Sequence, residues 1–226
     1  DLSKFGWQVN GESSTALYKK KRDEIWGGEE YKITYSISKY HENPPGYKPQ
    51  LFYGVTSVAP EKRPMGIITS MAVDFLDEAS QNDDPWCCFV SINEPHDPFV
   101  CGIEAFEMYD TDSIILPPNI HDDLSNKPNI YKKVSKVFGD LTEEEHKMAR
   151  RCYYASITEI DSLFGRLINK VKEMGELDNT IIILTTDHGE MLGAHGLYCK
   201  NIGAWEELYN IPLVMAGPGI EKGVKT

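Results

Sequence analysis

The sequence predicts an α/β fold in which a mostly parallel, mixed sheet is sandwiched between helices. Three observations carry that expectation. Two apolar runs, residues 86–92 (WCCFVSI) and 181–186 (IIILTT), have the composition of strands covered on both faces. Amphipathic segments at helical spacing begin near Met65 and after Thr142, one ahead of each run. A further short apolar strand, residues 211–216, closes on Gly217-Pro218-Gly219. Helix, strand, helix, strand in succession is the pattern of a sheet with helical crossovers.

Taken in order, residues 1–64 are rich in Tyr, Lys, Gly and Pro and only weakly periodic. Alternation over residues 31–37 predicts a half-exposed strand, and Asn43-Pro44-Pro45-Gly46 marks a turn. Pro64 stands where a helix begins, and Ile68, Met71, Ala72, Phe75, Leu76 and Ala79 form one helical face. Asn82, Asp83, Asp84 and Pro85 form a loop ahead of the 86–92 run, which ends in the polar cluster Asn93-Glu94-Pro95-His96-Asp97-Pro98. Residues 100–140 read as a long surface excursion, the kind of segment used as a lid or a binding loop. Thr142 with Glu145 is a capping box. It opens a long helix in which Met148, Cys152, Ala155, Ile160, Leu163, Leu167 and Val171 recur, and Gly175 ends it.

Bulk properties limit the partners. With 35 acidic against 23 basic residues the net charge is −12, which disfavours a nucleic acid. An anion site on such a surface needs local positive charge from a lysine or a metal. No apolar run approaches the roughly 20 residues of a membrane helix, so no membrane partner is expected. The five cysteines are odd in number and lack paired CxxC spacing, which points away from a disulfide framework or zinc site and towards a reducing compartment such as the cytoplasm.

The second strand ends in Asp187-His188-Gly189-Glu190, with His195 and Lys200 close behind. Asp187 offers a hard oxygen and His188 a neutral nitrogen to a metal, while Gly189 lets the backbone turn tightly. The alternative is structural, with Asp187 a helix cap and His188 a hydrogen-bonded loop residue. Glu190 has the position of a solvated or capping carboxylate, and His195 can fix its loop by a backbone hydrogen bond. His96, between Pro95 and Pro98, is either a structural histidine or an imidazole aimed with little entropic cost into a strand-end cleft.

These motifs, in this order, resemble the sulfatase branch of the alkaline phosphatase superfamily. The resemblance runs from Gly54-Val55-Thr56 through Phe89-Val90-Ser91-Ile92-Asn93-Glu94-Pro95-His96-Asp97-Pro98-Phe99, Tyr154, Asp161 and Asp178-Asn179-Thr180 to Asp187-His188-Gly189-Glu190, His195-Gly196, Lys200 and Ile211-Pro212-Leu213. It covers residues 51–220 of a partial catalytic domain spanning 1–226, with 1–50 a variable region. It implies an alkaline-phosphatase-like fold, incomplete here, and a hydrolase of sulfate esters on a small molecule or saccharide. Asp187 and His188 then match a pair of divalent-metal ligands, with calcium the expected ion and manganese or zinc the alternatives. His96 and Lys200 match the catalytic, substrate-contacting histidine and lysine, and His195 joins them as a substrate-binding candidate.

Two family elements are absent from the sequence: the Cys/Ser-x-Pro-x-Arg nucleophile, oxidised to formylglycine in sulfatases, and the first Asp-Asp metal pair. The resemblance places both upstream, so residues 1–226 alone are expected to be inactive. Two other functions fit the same motifs: a phosphate or phosphonate ester hydrolase, which the Asp-His pair also serves, and a scaffold that keeps the sheet without the chemistry. The aromatic residues Trp7, Trp26, Tyr31, Tyr35, Tyr40 and Tyr47 either stack on a substrate ring or pack on the core, and packing is the expected use.

Overall fold

A computed structural model describes residues 11–42, 48–200 and 203–225 of the chain. The turn read at 43–46 and the aromatics Trp7 and Tyr47 lie outside these residues. In chain order the elements are α1 (Ala16–Trp26), β1 (Ile37–His41), β2 (Gln50–Thr56), α2 (Pro64–Ala79), β3 (Phe99–Gly102), α3 (Ile103–Glu107), α4 (Asn129–Ser135), α5 (Glu143–Glu173), β4 (Ile182–Thr185), α6 (Glu206–Tyr209) and β5 (Leu213–Ala216).

The class is α/β with a mixed sheet. Strand β2 is central, antiparallel to β1 and parallel to β3, with Tyr53 opposite Phe99 and Thr56 opposite Gly102. The second ribbon pairs β4 with β5 antiparallel, Ile182 opposite Ala216 and Thr185 opposite Leu213. The long helix α5 lies across β3 and also packs on α2. Its start is the capping box read from the sequence: Thr142 Oγ1 accepts from Glu145 N at 3.2 Å, and Glu145 Oε2 accepts from Thr142 N at 2.9 Å. Past its end, Gly175 adopts φ 77°.

The core sits between the three-stranded sheet and α5, built from Phe52, Val55, Phe99, Cys101, Cys152 and Tyr198. A second cluster gathers Leu124, Met191, Leu197, Trp205 and Leu208. Both clusters hold residues of the 191–198 loop, so the segment leading to Lys200 is fastened on two sides. At the boundary between α2, α5 and β3 lies a buried ion pair, Arg63 with Glu159, their side chains 2% and 6% exposed. Glu159 Oε1 also accepts from Gly102 N at 3.0 Å, which fixes the end of β3.

Several expectations are corrected. Residues 31–36 form no strand; β1 begins at Ile37, and Tyr31 instead sets its ring edge-on to the buried Trp26 at 5.2 Å. Residues 86–92 join neither sheet. Their burial still alternates, with Trp86, Cys88, Val90 and Ile92 half-buried and the residues between them exposed. The sequence pattern reports burial on one side, and that does not require a backbone ladder. The 100–140 segment is no surface excursion: it contains α3 and α4, and Cys101, Phe106, Ile114, Leu124 and Phe138 are buried. Finally, β4 is not covered on both faces. Ile181 and Ile183 are 54% and 53% exposed, and every residue of β5 is exposed.

Candidate functional site

The end of β4 is fixed from the side: Thr185 Oγ1 donates to Pro212 O at 3.0 Å, joining the strand end to the approach of β5. Thr186 Oγ1 then donates to His188 O at 3.1 Å, and His188 N donates to Asp187 Oδ1 at 3.0 Å. These bonds fold the two candidate ligands back on each other. His188 Nδ1 lies 2.7 Å from Gly189 O, so the ring proton belongs on Nδ1 and Nε2 carries the free lone pair. That nitrogen is 3.8 Å from Asp187 Oδ2, a carboxylate whose side chain is 87% exposed. Two donors on one ion at about 2.0–2.5 Å each stand roughly 3–4 Å apart, so the pair fits a shared cation. Among the described residues no set of three or more His, Cys, Asp or Glu is arranged to hold a metal.

Gly189 explains the tightness of the turn. Its N–H donates to Leu208 O at 2.9 Å, and a Cβ there would lie 1.9 Å from Glu207 O. Only glycine allows α6 so close to the Asp187–His188 turn.

The following loop is built around Glu190. Its Oε1 accepts from Leu192 N at 3.1 Å and from Cys199 N at 2.6 Å, closing the loop at both ends. The residue as a whole is half-buried, yet burial of the carboxylate pushes its pKa up to about 7, opposed by the two N–H donors. Leu192, His195 and Cys199 all have positive φ, at 43°, 55° and 62°, which non-glycine residues hold only when their surroundings impose it. Arg150 Nη1 donates to Leu192 O at 2.8 Å. His195 sits between Asp122 Oδ2, 2.6 Å from Nδ1, and Asn119 Nδ2, 3.0 Å from Nε2, with its ring 4.5 Å from that of Trp205. The hydrogen bond from His195 holds Asp122 below the usual carboxylate range.

His96 arrives from the other loop. Its Nδ1 is 3.0 Å from Asp97 O and 2.9 Å from Asp97 Oδ1, leaving Nε2 as its outward nitrogen. The His96 and His188 rings meet edge to face at 5.9 Å. Burial first, then the Glu190 and Asp97 charges, drives the Cys199 thiol far above the ordinary range. The thiol is therefore inert.

Asp187, His188 and Lys200 line one cleft of about 260 Å³ with Leu208, Tyr209 and Ile211. His96 stands beside it through His188, while both ring nitrogens of His195 are engaged with Asn119 and Asp122, away from that lining. Sequence reasoning missed Glu190 and Asp97 as organisers. The signal available for Glu190 was its place directly after the Gly189 turn, where a carboxylate can reach the amides of the loop that follows.

The comparisons with known proteins fit this arrangement. The family model for Sulfatase matches residues 6–226. The chain is 34% identical over 155 residues to the uncharacterized sulfatase YidJ of Escherichia coli (strain K12), covering 69% of this chain and 31% of that protein. It is 29% identical over 223 residues to an ulvan-active sulfatase of Formosa agariphila, covering 96% of this chain and 38% of the relative. In three dimensions it superposes on the phosphonate monoester hydrolase SpPMH of Silicibacter pomeroyi with a TM-score of 0.71 at 24% identity, over 93% of this chain and 43% of that one. The chain thus spans about a third of the length of these sulfatases. With the ordered motifs, their shared cleft and a match across nearly the whole chain, the protein is a member of the sulfatase family.

Proposed function

We propose that the protein containing this chain hydrolyses sulfate esters, with Lys200 and His96 acting on the ester and Asp187 and His188 forming part of a divalent-metal cage. The observation that carries the reading is the meeting of Asp187, His188 and Lys200 in one cleft with His96 set against His188. Such an ion, when bound, supplies positive charge to the non-bridging oxygens of the ester. The hard carboxylate of Asp187 suits calcium, and the imidazole of His188 extends the range to manganese or zinc. Lys200 provides the fixed cation that an acidic protein needs to hold an anionic group. His96, its Nδ1–H committed to Asp97, delivers a proton from Nε2 to the departing alkoxide oxygen as the imidazolium, leaving the neutral Nδ1–H ring behind. The nucleophile on this reading is a formylglycine from a Cys/Ser-x-Pro-x-Arg segment, a context none of the five cysteines here has. A saccharide sulfate is the substrate class we favour, supported by the likeness to a sulfatase named for activity on ulvan.

The imidazole of His188 is also what favours the second reading, a phosphonate or phosphate ester hydrolase. The two are separated by comparing p-nitrophenyl sulfate with phenyl phosphonate esters on the complete enzyme. Sulfate hydrolysis is expected to exceed phosphonate hydrolysis and to fall in Lys200→Ala by about a hundredfold or more. Faster phosphonate turnover would overturn the assignment. Calorimetry with calcium, manganese and zinc, on wild type and on Asp187→Asn, tests the cage, and failure to bind any of them would favour the scaffold.

A further inference from the structure

We propose that Glu190 is a positioning residue that sets the placement of Lys200. Glu190 Oε1 takes the amide hydrogens of Leu192 and Cys199, residues at opposite ends of the loop, and Cys199 is bonded directly to Lys200. A carboxylate used only as a cap would bind amides of a single turn. Here it spans the loop and fixes the Tyr198–Cys199 peptide unit, one residue ahead of the lysine.

The backbone shows why such a fastening is needed. Leu192, His195 and Cys199 are held at positive φ without being glycine, and this conformation relaxes unless it is over-determined. Arg150 holds Leu192 through its carbonyl, and Asn119 with Asp122 holds His195. For Cys199 the corresponding hold is Glu190 on its amide. Glu190 therefore fastens the strained backbone from which the lysine projects. Lys200 itself is exposed on a long flexible stem, so its average position follows its backbone anchor.

The inference rests on the reading of Lys200 as the anion-contacting cation. Its test uses the complete enzyme, p-nitrophenyl sulfate, and four variants: Glu190→Ala, Glu190→Gln, Lys200→Ala and the double variant Glu190→Ala/Lys200→Ala. Glu190→Ala is expected to lower kcat/KM about tenfold or more, with the same division between kcat and KM as Lys200→Ala. Glu190→Gln, whose side-chain carbonyl still accepts both amides, is expected to stay within about threefold of wild type. In the Lys200→Ala background the alanine change is expected to cost less than about twofold, because a positioning residue has nothing left to position. A glutamine variant as damaged as alanine, or an undiminished loss in the double variant, would overturn the proposal. So would a change in melting temperature with unaltered kinetics. If Glu190→Ala does not fold, Glu190→Asp replaces it, with an intermediate loss expected. Should Lys200→Ala leave kcat/KM unchanged, the anion-contact reading fails. The loop closure is then judged by amide exchange at Cys199, faster in the alanine variant if Glu190 holds it and unchanged if it does not.

Discussion

Replacing Arg63 by methionine isolates the energetics of the buried pair that joins α2, α5 and the end of β3. Arg63 and Glu159 expose only 2% and 6% of their side chains, so removing the guanidinium leaves the Glu159 carboxylate without a countercharge in a dry setting. Loss of one partner of such a pair costs about 3–5 kcal/mol. Glu159 cannot swing out to water, because its Oε1 accepts from Gly102 N. A second carboxylate is involved: burial raises the pKa of Glu94, and the Arg63 charge opposes that rise. The methionine variant therefore leaves two carboxylates facing each other. A folded-state pKa raised above the unfolded one means the fold binds the extra proton, so stability falls as pH rises through that window. The penalty is accordingly expected to shrink as the pH is lowered towards the ordinary carboxylate range. In urea titrations the midpoint should drop by about 1–3 M with the slope unchanged. Arg63→Met/Glu159→Leu, which removes both charges, is expected to recover much of the loss. A single variant within about 1 kcal/mol of wild type, or a double variant worse than the single, would show that the pair is not the keystone described here.

Two further outcomes follow from the same geometry. Gly189→Ala places a Cβ 1.9 Å from Glu207 O, a backbone atom, so α6 or the ligand turn must move; a loss of about 2–4 kcal/mol is expected in urea unfolding, with weakened divalent-metal binding by calorimetry. Burial lowers the pKa of His41, which packs on Phe52 and Phe138, and of His146, stacked on Tyr198 at 5.7 Å. Their stabilising contribution is full above the unfolded value of about 6.5 and is lost as the pH falls through the lower folded values, so the urea midpoint should decline on the acid side, less steeply in His146→Phe.

Much of this was legible where local chemistry decides. The Thr142–Glu145 box and Gly175 bracket α5, and Pro64 opens α2, because caps act within a few residues of the backbone they satisfy. Strand β3 was not legible: Phe99-Val100-Cys101-Gly102 is four residues between a proline and a helix, too short to show a period, and its burial comes from β2 and α5. That Asp187, His188 and Lys200 lie together could be read because a short loop keeps them close whatever the fold does. What holds them could not. The partners of His195, Asn119 and Asp122, lie in a segment that reads as surface, and the desolvation of the Glu190 carboxylate arises from packing that no spacing encodes.

The exposed apolar ribbon has a practical consequence for handling the protein. Ile181, Ile183, Leu213, Val214 and Met215 are each at least 44% exposed on neighbouring strands that carry the candidate ligands at one end. A polypeptide of these residues alone would bring to solution a sticky β edge and a cleft on the same element. Concentrating it for a ligand-binding experiment would favour self-association over occupancy of the cleft, and a detergent or carrier that masks the ribbon would crowd Asp187 and His188 as well.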